Sequence, residues 1–101
     1  MRARPDVFES LADPTRREIL RQLAEAPAPV EEIATRFSIS RPAISKHLRK
    51  LRDVGLVSCR PAGRSNIYHA ELDGLTAVRD WIDAMWRQRL ALLKRLSEGD
   101  S

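Results

Sequence analysis

The sequence has little of what several common classes of protein require. Its single cysteine, Cys59, cannot form an internal disulfide, which suits a reducing compartment. No apolar run approaches the roughly 20 residues of a membrane span, and no apolar stretch follows the basic N-terminal residues as in a secretory signal. There is no Gly-rich phosphate loop, paired-carboxylate site or Ser/His/Asp set. We therefore expect a cytoplasmic protein that is not an enzyme and uses no cofactor.

The positive charge of the chain is concentrated in one stretch. The chain has 18 Lys and Arg against 14 Asp and Glu, a formal net charge of +4. Residues 36–64, here called the basic segment, hold eight cations and one anion, Asp53. Such a block indicates a surface for a polyanion, although a merely solvated face would have the same composition. The eight cations are Arg36, Arg41, Lys46, Arg49, Lys50, Arg52, Arg60 and Arg64.

Capping residues and the spacing of apolar residues predict five helices in a single domain over residues 1–101. The hydrophobic content of 43% is enough for a packed core. Asp13 followed by Pro14 is typical of a helix start, and two prolines at 26–29 end that helix. Asp73 is expected to cap the last helix. The predicted helices cover about 5–12, 14–25, 29–37, 41–54 and 74–97.

The fourth predicted helix has one apolar and one cationic side. Ser40 is its natural N-cap, Pro42 is tolerated in its first turn, and Gly55 can end it. A buried stripe is expected from residues at i, i+4 and i+7, namely Ile44, Leu48 and Leu51. The opposite side holds Pro42, Lys46, Arg49 and Asp53, with Ser45 and Lys50 on its flanks.

A two-stranded hairpin is predicted at about 56–71, between this helix and the last one. Two segments of period-two character flank "PAGR", in which Pro61 and Gly63 favour a turn with Arg60 and Arg64 at its tip. Two short helices joined by the tight turn "SIS" at 38–40 form a helix-turn-helix, and a following basic hairpin makes it a winged helix. The predicted fold is therefore mainly α with a small β-hairpin.

A basic winged helix is expected to bind double-stranded DNA, because one such helix fits a major groove. Ser40 is expected to meet a phosphate at the helix N-terminus. Base edges are assigned to the exposed N-terminal half of the fourth helix, that is to Arg41, Ser45 and Lys46, with Pro42 near a thymine methyl group. Backbone contacts are assigned to Arg49, Lys50 and Arg64. The open alternative is a winged helix that binds protein, whose exposed face should be less cationic and more apolar.

Residues 11–72 resemble the ArsR-type (ArsR/SmtB-like) winged-helix transcriptional repressors. The matching motifs are "LADPTRREIL", "EIATRFSISRPAISKHLRKLRDVGLV" and the wing pattern R-x-x-G-R-x-x-x-Y. The resemblance implies a homodimeric repressor that binds a pseudo-palindromic operator and often controls its own operon. It also implies that the helix at 41–54 reads the DNA, while the first and last helices form the dimer. No inducing ligand is assigned from the sequence.

The sequence departs from the metal-sensing members of that family. Their paired cysteines would fall at Pro29 and Glu31, and the last helix has no histidine. We therefore expect no metal site and a regulator of the kind that lacks the metal motif. The alternative is metal or redox sensing through Cys59 and His69, if these two side chains face each other across the hairpin.

The last predicted helix has more apolar residues than one small domain can cover. Its apolar residues extend beyond a single stripe, since Trp81 and Leu90 lie off the main face. One interpretation of these additional apolar residues is a small pocket between Trp81 and Trp86. We expect the main face to pair with a second copy of the chain. The expected dimer interface consists of Phe8, Leu11, Ile82, Met85, Trp86 and Leu93.

Overall fold

A computed structural model describes residues 6–99. Five α-helices and a small sheet follow one another in the order expected of a winged helix, with two additions, a short strand and a 3₁₀ turn. The elements are α1 (Val7–Leu11), α2 (Pro14–Glu25), β1 (Ala28–Pro29), α3 (Val30–Ala34), α4 (Arg41–Asp53), β2 (Val57–Ala62), β3 (Ser65–Ala70), a 3₁₀ turn (Leu72–Leu75) and α5 (Thr76–Glu98). Pro5, where the first helix was predicted to begin, lies outside the described residues.

Side-chain caps fix the starts of the first two helices. The carboxylate of Asp6 accepts the N–H of Glu9 at 2.7 Å, and that of Asp13 accepts the N–H groups of Thr15 and Arg16 at 2.7 and 3.3 Å. Burial alone would raise the pKa of Asp13, but these two backbone donors lower it. The predicted start of α2 at Asp13 is therefore confirmed.

The sheet has three antiparallel strands in the order β1-β3-β2. The hairpin of β2 and β3 was predicted, but β1 was not: Ala28 and Pro29 pair with Tyr68 and Ile67. Pro29 was predicted to open α3, yet its backbone is extended and the helix begins at Val30. A strand of two residues leaves no period-two signal in a sequence.

The tip of the hairpin also differs from the prediction. Pro61 lies within β2, opposite Asn66, and not in the turn. A strand at the edge of the sheet tolerates a proline, because it needs no ladder donor on its outer side. The turn is formed by Gly63 and Arg64, with Gly63 at a φ of 62°. Arg64 is thereby at the tip, as predicted, and Arg60 lies in the strand.

One hydrophobic core holds α2, α3, α4 and the sheet together. The predicted stripe of α4 is confirmed, since Ile44, Leu48 and Leu51 are fully buried. Phe37 lies beyond the end of α3 but still packs partly against the core. The other buried apolar residues are Ile19, Leu20, Leu23, Ala28, Ile33, Leu56 and Val57.

The entry into α5 is not the one predicted. Asp73 does not cap α5; it lies in the 3₁₀ turn, where its backbone carbonyl accepts the hydroxyl of Thr76 at 2.7 Å. The turn packs tightly on the residues that follow α4, because a Cβ at Gly74 would lie only 2.6 Å from the carbonyl oxygen of Gly55. Among residues 6–99, none of the helices combines the length and the apolar character that crossing a bilayer requires.

The close approach at Gly74 predicts that Gly74→Ala destabilises the fold. The added methyl group must push the 3₁₀ turn away from Gly55, which we expect to lower the free energy of unfolding by about 1–3 kcal/mol. Asp73→Ala is the matched control, since its exposed side chain caps nothing, and should change the value by less than about 0.5 kcal/mol. Urea unfolding at one fixed protein concentration measures both. Equal stabilities for the two variants would contradict the packing described.

Candidate nucleic-acid interface

The geometry of α4 presents its polar side to solvent. Ser40 is the N-cap, and its hydroxyl accepts the N–H of Ala43 at 3.3 Å. Because Ile44, Leu48 and Leu51 are fully buried, the helix cannot rotate without exposing its stripe. The side chains assigned to DNA consequently share one surface of the helix. Of these, Arg41, Pro42, Lys46, Arg49 and Lys50 are exposed, and Ser45 is half-buried.

Ion pairs divide the cations of the basic segment into two groups. Three of the eight are paired with carboxylates: Arg41 with Glu31 at 2.8 Å, Arg36 with Glu32 at 2.8 Å, and Arg60 with Glu71 at 3.3 Å. Within residues 6–99, the other five have no carboxylate oxygen within 4 Å. They are Lys46, Arg49, Lys50, Arg52 and Arg64. The cations at the middle and end of α4 and at the wing tip are therefore the ones available to phosphates.

Glu31 is the interface residue that sequence reasoning missed. It was considered only as the occupant of a cysteine position, yet its carboxylate holds Arg41, the first residue of α4. Both side chains are more than half exposed, so the pair contributes little to stability. The pair matters because the carboxylate of Glu31 fixes the direction in which the guanidinium of Arg41 points. The only indication of this pair in the sequence was the presence of two acidic residues, Glu31 and Glu32, in the first turn of α3.

The inner end of the wing carries a half-buried tyrosine beside the cysteine. Tyr68 lies directly opposite Cys59 in the β2–β3 ladder. Burial raises the pKa of Tyr68, the neighbouring Cys59 raises it further, and Arg52 at the end of α4 acts in the opposite direction. Arg52, although exposed, therefore lies close to the wing.

Cys59 and His69 do not face each other across the hairpin, as the metal- or redox-sensing alternative would require. His69 pairs with Ser58, and Cys59 pairs with Tyr68. Successive residues of a strand point to opposite faces, so the Cys59 and His69 side chains lie on opposite faces of the hairpin. Within residues 6–99, no three His, Cys, Asp or Glu side chains are grouped as metal ligands. Cys59 and His69 therefore do not form the pair of metal ligands that the metal-sensing alternative proposed within one hairpin.

A second surface of interest lies on α5. This helix of 23 residues has no buried residue, and eight of its large apolar side chains are 40–61% exposed. Four residues of the expected dimer interface line one groove of about 710 Å³, together with Leu92. These four are Ile82, Met85, Trp86 and Leu93.

The remaining aromatic and apolar residues near α5 are arranged differently from the expectation. Phe8 packs edge-on against Trp81, with ring centroids 5.6 Å apart, so Trp81 joins α1 to α5 within the chain. The groove is lined by Trp86 and not by Trp81, so it is not the pocket between the two tryptophans that the sequence suggested. Leu11, expected at the interface, packs partly against the core of its own chain.

Comparison with known proteins identifies the family. A family model described as "Bacterial regulatory protein, arsR family" matches residues 13–58, from the N-cap of α2 into β2. The HTH-type transcriptional regulator Rv2034 of Mycobacterium tuberculosis is 42% identical over 95% of this chain and 92% of its own. The chain belongs to the arsR family. The resemblance drawn from the sequence motifs is thereby confirmed, and the arsR-family regulators are DNA-binding proteins rather than enzymes.

Two further proteins are similar to this chain. The transcriptional repressor SdpR of Bacillus subtilis is 34% identical over 76% of this chain and 86% of its own. The solution structure of the homodimeric winged helix-turn-helix DNA-binding domain of Mb0332 from Mycobacterium bovis is 27% identical, with a TM-score of 0.65 over 83% of this chain and 78% of that one. The winged-helix fold predicted from the sequence is therefore confirmed.

The Glu31–Arg41 pair predicts that Glu31→Gln strengthens binding to DNA of any sequence. Loss of the carboxylate releases Arg41 in each protomer, and on a duplex without the preferred bases the freed guanidinium contacts a phosphate instead of a base edge. For two protomers, the slope of log K against log salt should steepen by about 1.8. Salt titrations on a random-sequence duplex measure this change.

Glu18→Gln is the matched control for charge. Glu18 pairs with Arg21 on α2, outside the basic segment, and the hydrogen bond from Arg21 lowers the pKa of Glu18 to about 2, so this substitution also removes one negative charge. If both variants change the salt slope equally, the Glu31 effect comes from net charge, and Arg41 does not contact the DNA.

Proposed function

We propose that the chain is a homodimeric repressor that binds a pseudo-palindromic operator and blocks transcription by occupying it. The observation that carries this proposal is the division of α4 into a fully buried apolar stripe and an exposed cationic side. A helix with this division, followed by a wing with Arg64 at its tip, can enter a major groove while the wing meets the flanking backbone. The name of SdpR, a transcriptional repressor, supports repression as the outcome.

Dimerisation is supported by the exposed apolar face of α5. A monomer would leave Ile82, Met85, Trp86 and Leu93 in water, and contiguous exposed apolar patches of this kind mark interaction sites. Phe8 lies at the edge of the same surface, against Trp81. The homodimeric state of the Mb0332 domain agrees with this arrangement. Two copies related by a two-fold axis would place two recognition helices on successive major grooves.

In this proposal the whole chain forms one DNA-binding unit. Each side chain assigned to the DNA surface has its own role. Ser40 meets a phosphate at the N-terminus of α4. Arg41, Ser45 and Lys46 reach base edges, and Pro42 lies against a thymine methyl group. Arg49, Lys50 and Arg64 hold the backbone. The frequent autoregulation in this family suggests that the operator lies upstream of the chain's own gene.

A protein-binding winged helix is the competing function, and one observation weighs against it. A surface for protein recognition is depleted in charge at its centre and enriched in aromatic residues. The outward side of α4 is neither depleted in charge nor rich in aromatic residues. Lys46, Arg49 and Lys50 are exposed there, and none of the large apolar residues exposed in residues 6–99 lies on α4. The composition of this surface favours a polyanion.

The proposed roles predict different consequences for two substitutions. Arg64→Ala removes two phosphate contacts per dimer, so the salt slope of log K should shrink by about 1.8 with little change in sequence preference. Lys46→Ala should instead relax preference at one position in each half-site, at roughly 1–3 kcal/mol per lost base contact. Salt titrations on a duplex selected from a random pool, and on an unselected duplex, measure both.

The reverse pattern would show that the two elements have been assigned the wrong way round. If neither variant changes binding to either duplex, the cationic side of α4 is only a solvated surface, and the proposed function is wrong.

A further inference from the structure

One buried cation in the described chain lies outside the DNA surface and has no place in the proposed function. Arg16, on α2, is only 9% exposed. Burying a guanidinium costs several kcal/mol unless its N–H groups find partners, so the position of this side chain is set by the groups around it. These partners belong to three different helices.

Two of the partners belong to α1. The Nε–H of Arg16 donates to the carbonyl oxygen of Ser10 at 2.6 Å, and Nη2 donates to that of Glu9 at 3.5 Å. The carbonyl of Glu9 also accepts the backbone N–H of Ala12 at 3.2 Å, whereas that of Ser10 lies at the end of the helix, where no later N–H of the helix reaches it, and is satisfied by the guanidinium. Nη1 also lies 3.6 Å from the carboxylate of Asp13, the N-cap of α2.

The third helix is the recognition helix itself. Nη1 of Arg16 lies 3.3 Å from Nδ1 of His47. Because a guanidinium only donates, a hydrogen bond between these atoms requires Nδ1 as the acceptor, that is, the tautomer with its proton on Nε2. His47 directly follows Lys46, the proposed base-reading residue, and precedes the fully buried Leu48. A bond to His47 therefore restrains the rotation at which α4 presents Lys46.

The same guanidinium links α4 to the helices proposed to form the dimer. α1 carries Phe8, whose ring packs edge-on against Trp81 of α5. A continuous series of contacts thus runs from α5 through Phe8 and the carbonyls of α1 to Arg16, and from Arg16 to His47.

We propose that Arg16 is a positioning residue that sets the orientation of the recognition helix relative to α1 through His47. This inference rests on the proposed function, since it assigns α4 to the DNA. Arg16 does not touch the DNA and adds nothing to the electrostatic attraction of the interface. Its loss should therefore reduce the discrimination between sequences and leave general affinity unchanged.

The test uses Arg16→Lys in the full chain, with a duplex selected from a random pool and an unselected duplex. Lysine keeps the charge but lacks the planar fork that reaches α1 and His47 together. The ratio of the two binding constants should fall by roughly three- to thirty-fold, while the salt slope on the unselected duplex stays unchanged. His47→Leu should give the same loss, and the double variant should lose no more than either one. His47→Gln offers a carbonyl acceptor and should retain most of the preference.

Arg17→Lys is the matched control. Arg17 also donates to carbonyls at the end of α1, at 2.7 Å to Leu11 and 3.2 Å to Ala12, but it is exposed and its hydrogen bonds do not reach α4. Its substitution should leave the preference at the wild-type level. Equal losses for Arg16→Lys and Arg17→Lys would show that Arg16 only caps α1, and would overturn the inference.

Two outcomes separate this inference from the proposed function. If the wild-type chain prefers no duplex, the proposed function fails and this inference fails with it. If the wild-type chain discriminates and Arg16→Lys discriminates equally well, only the role of Arg16 is refuted. Thermal unfolding followed by circular dichroism verifies that each variant is folded, and His47→Leu decides the matter if Arg16→Lys does not fold.

Discussion

The last helix has an apolar face that its own chain leaves in water, and the rest of the account depends on this constraint. α5 extends over 23 residues without a single buried side chain, and Ile82, Met85, Trp86 and Leu93 line one open groove. Apolar surface of this extent is stable in water only when another surface covers it. A second copy of the chain is the proposed cover, and its two-fold symmetry would turn one recognition helix into a matched pair.

The DNA-binding end is organised by a different physical principle, the selective neutralisation of charge. Net charge alone would make all eight cations of the basic segment equivalent. The carboxylates of Glu31, Glu32 and Glu71 pair with three of them, which leaves the middle of α4 and the wing tip as the unneutralised surface. Buried Arg16 then contacts α1 on one side and His47 of α4 on the other. In the proposed function, orientation and attraction are thus assigned to different residues.

Local features of the fold could be predicted from the sequence, and tertiary features could not. The Ser40 cap and the buried stripe from Ile44 to Leu51 depend on neighbours within a few residues, so their spacing was sufficient. The ladder register that separates Cys59 from His69 depends on a turn formed by Gly63 and Arg64, one step away from the expected one. The pairs Glu31–Arg41 and Arg16–His47 join residues 10 and 31 positions apart, which no local pattern encodes.

The central claim is that the face of α5 is covered by a second copy, and sedimentation equilibrium of the full chain at micromolar concentration tests it most directly. The wild-type chain should sediment at twice the chain mass. Trp86→Glu places a charge in the groove and should sediment at the mass of one chain, because it removes the largest apolar side chain of the groove and moving a carboxylate out of water costs several kcal/mol. Arg87→Gln, an equal charge change on α5 outside the groove, should remain at twice the mass. A wild-type chain that sediments at the mass of one chain would contradict the account.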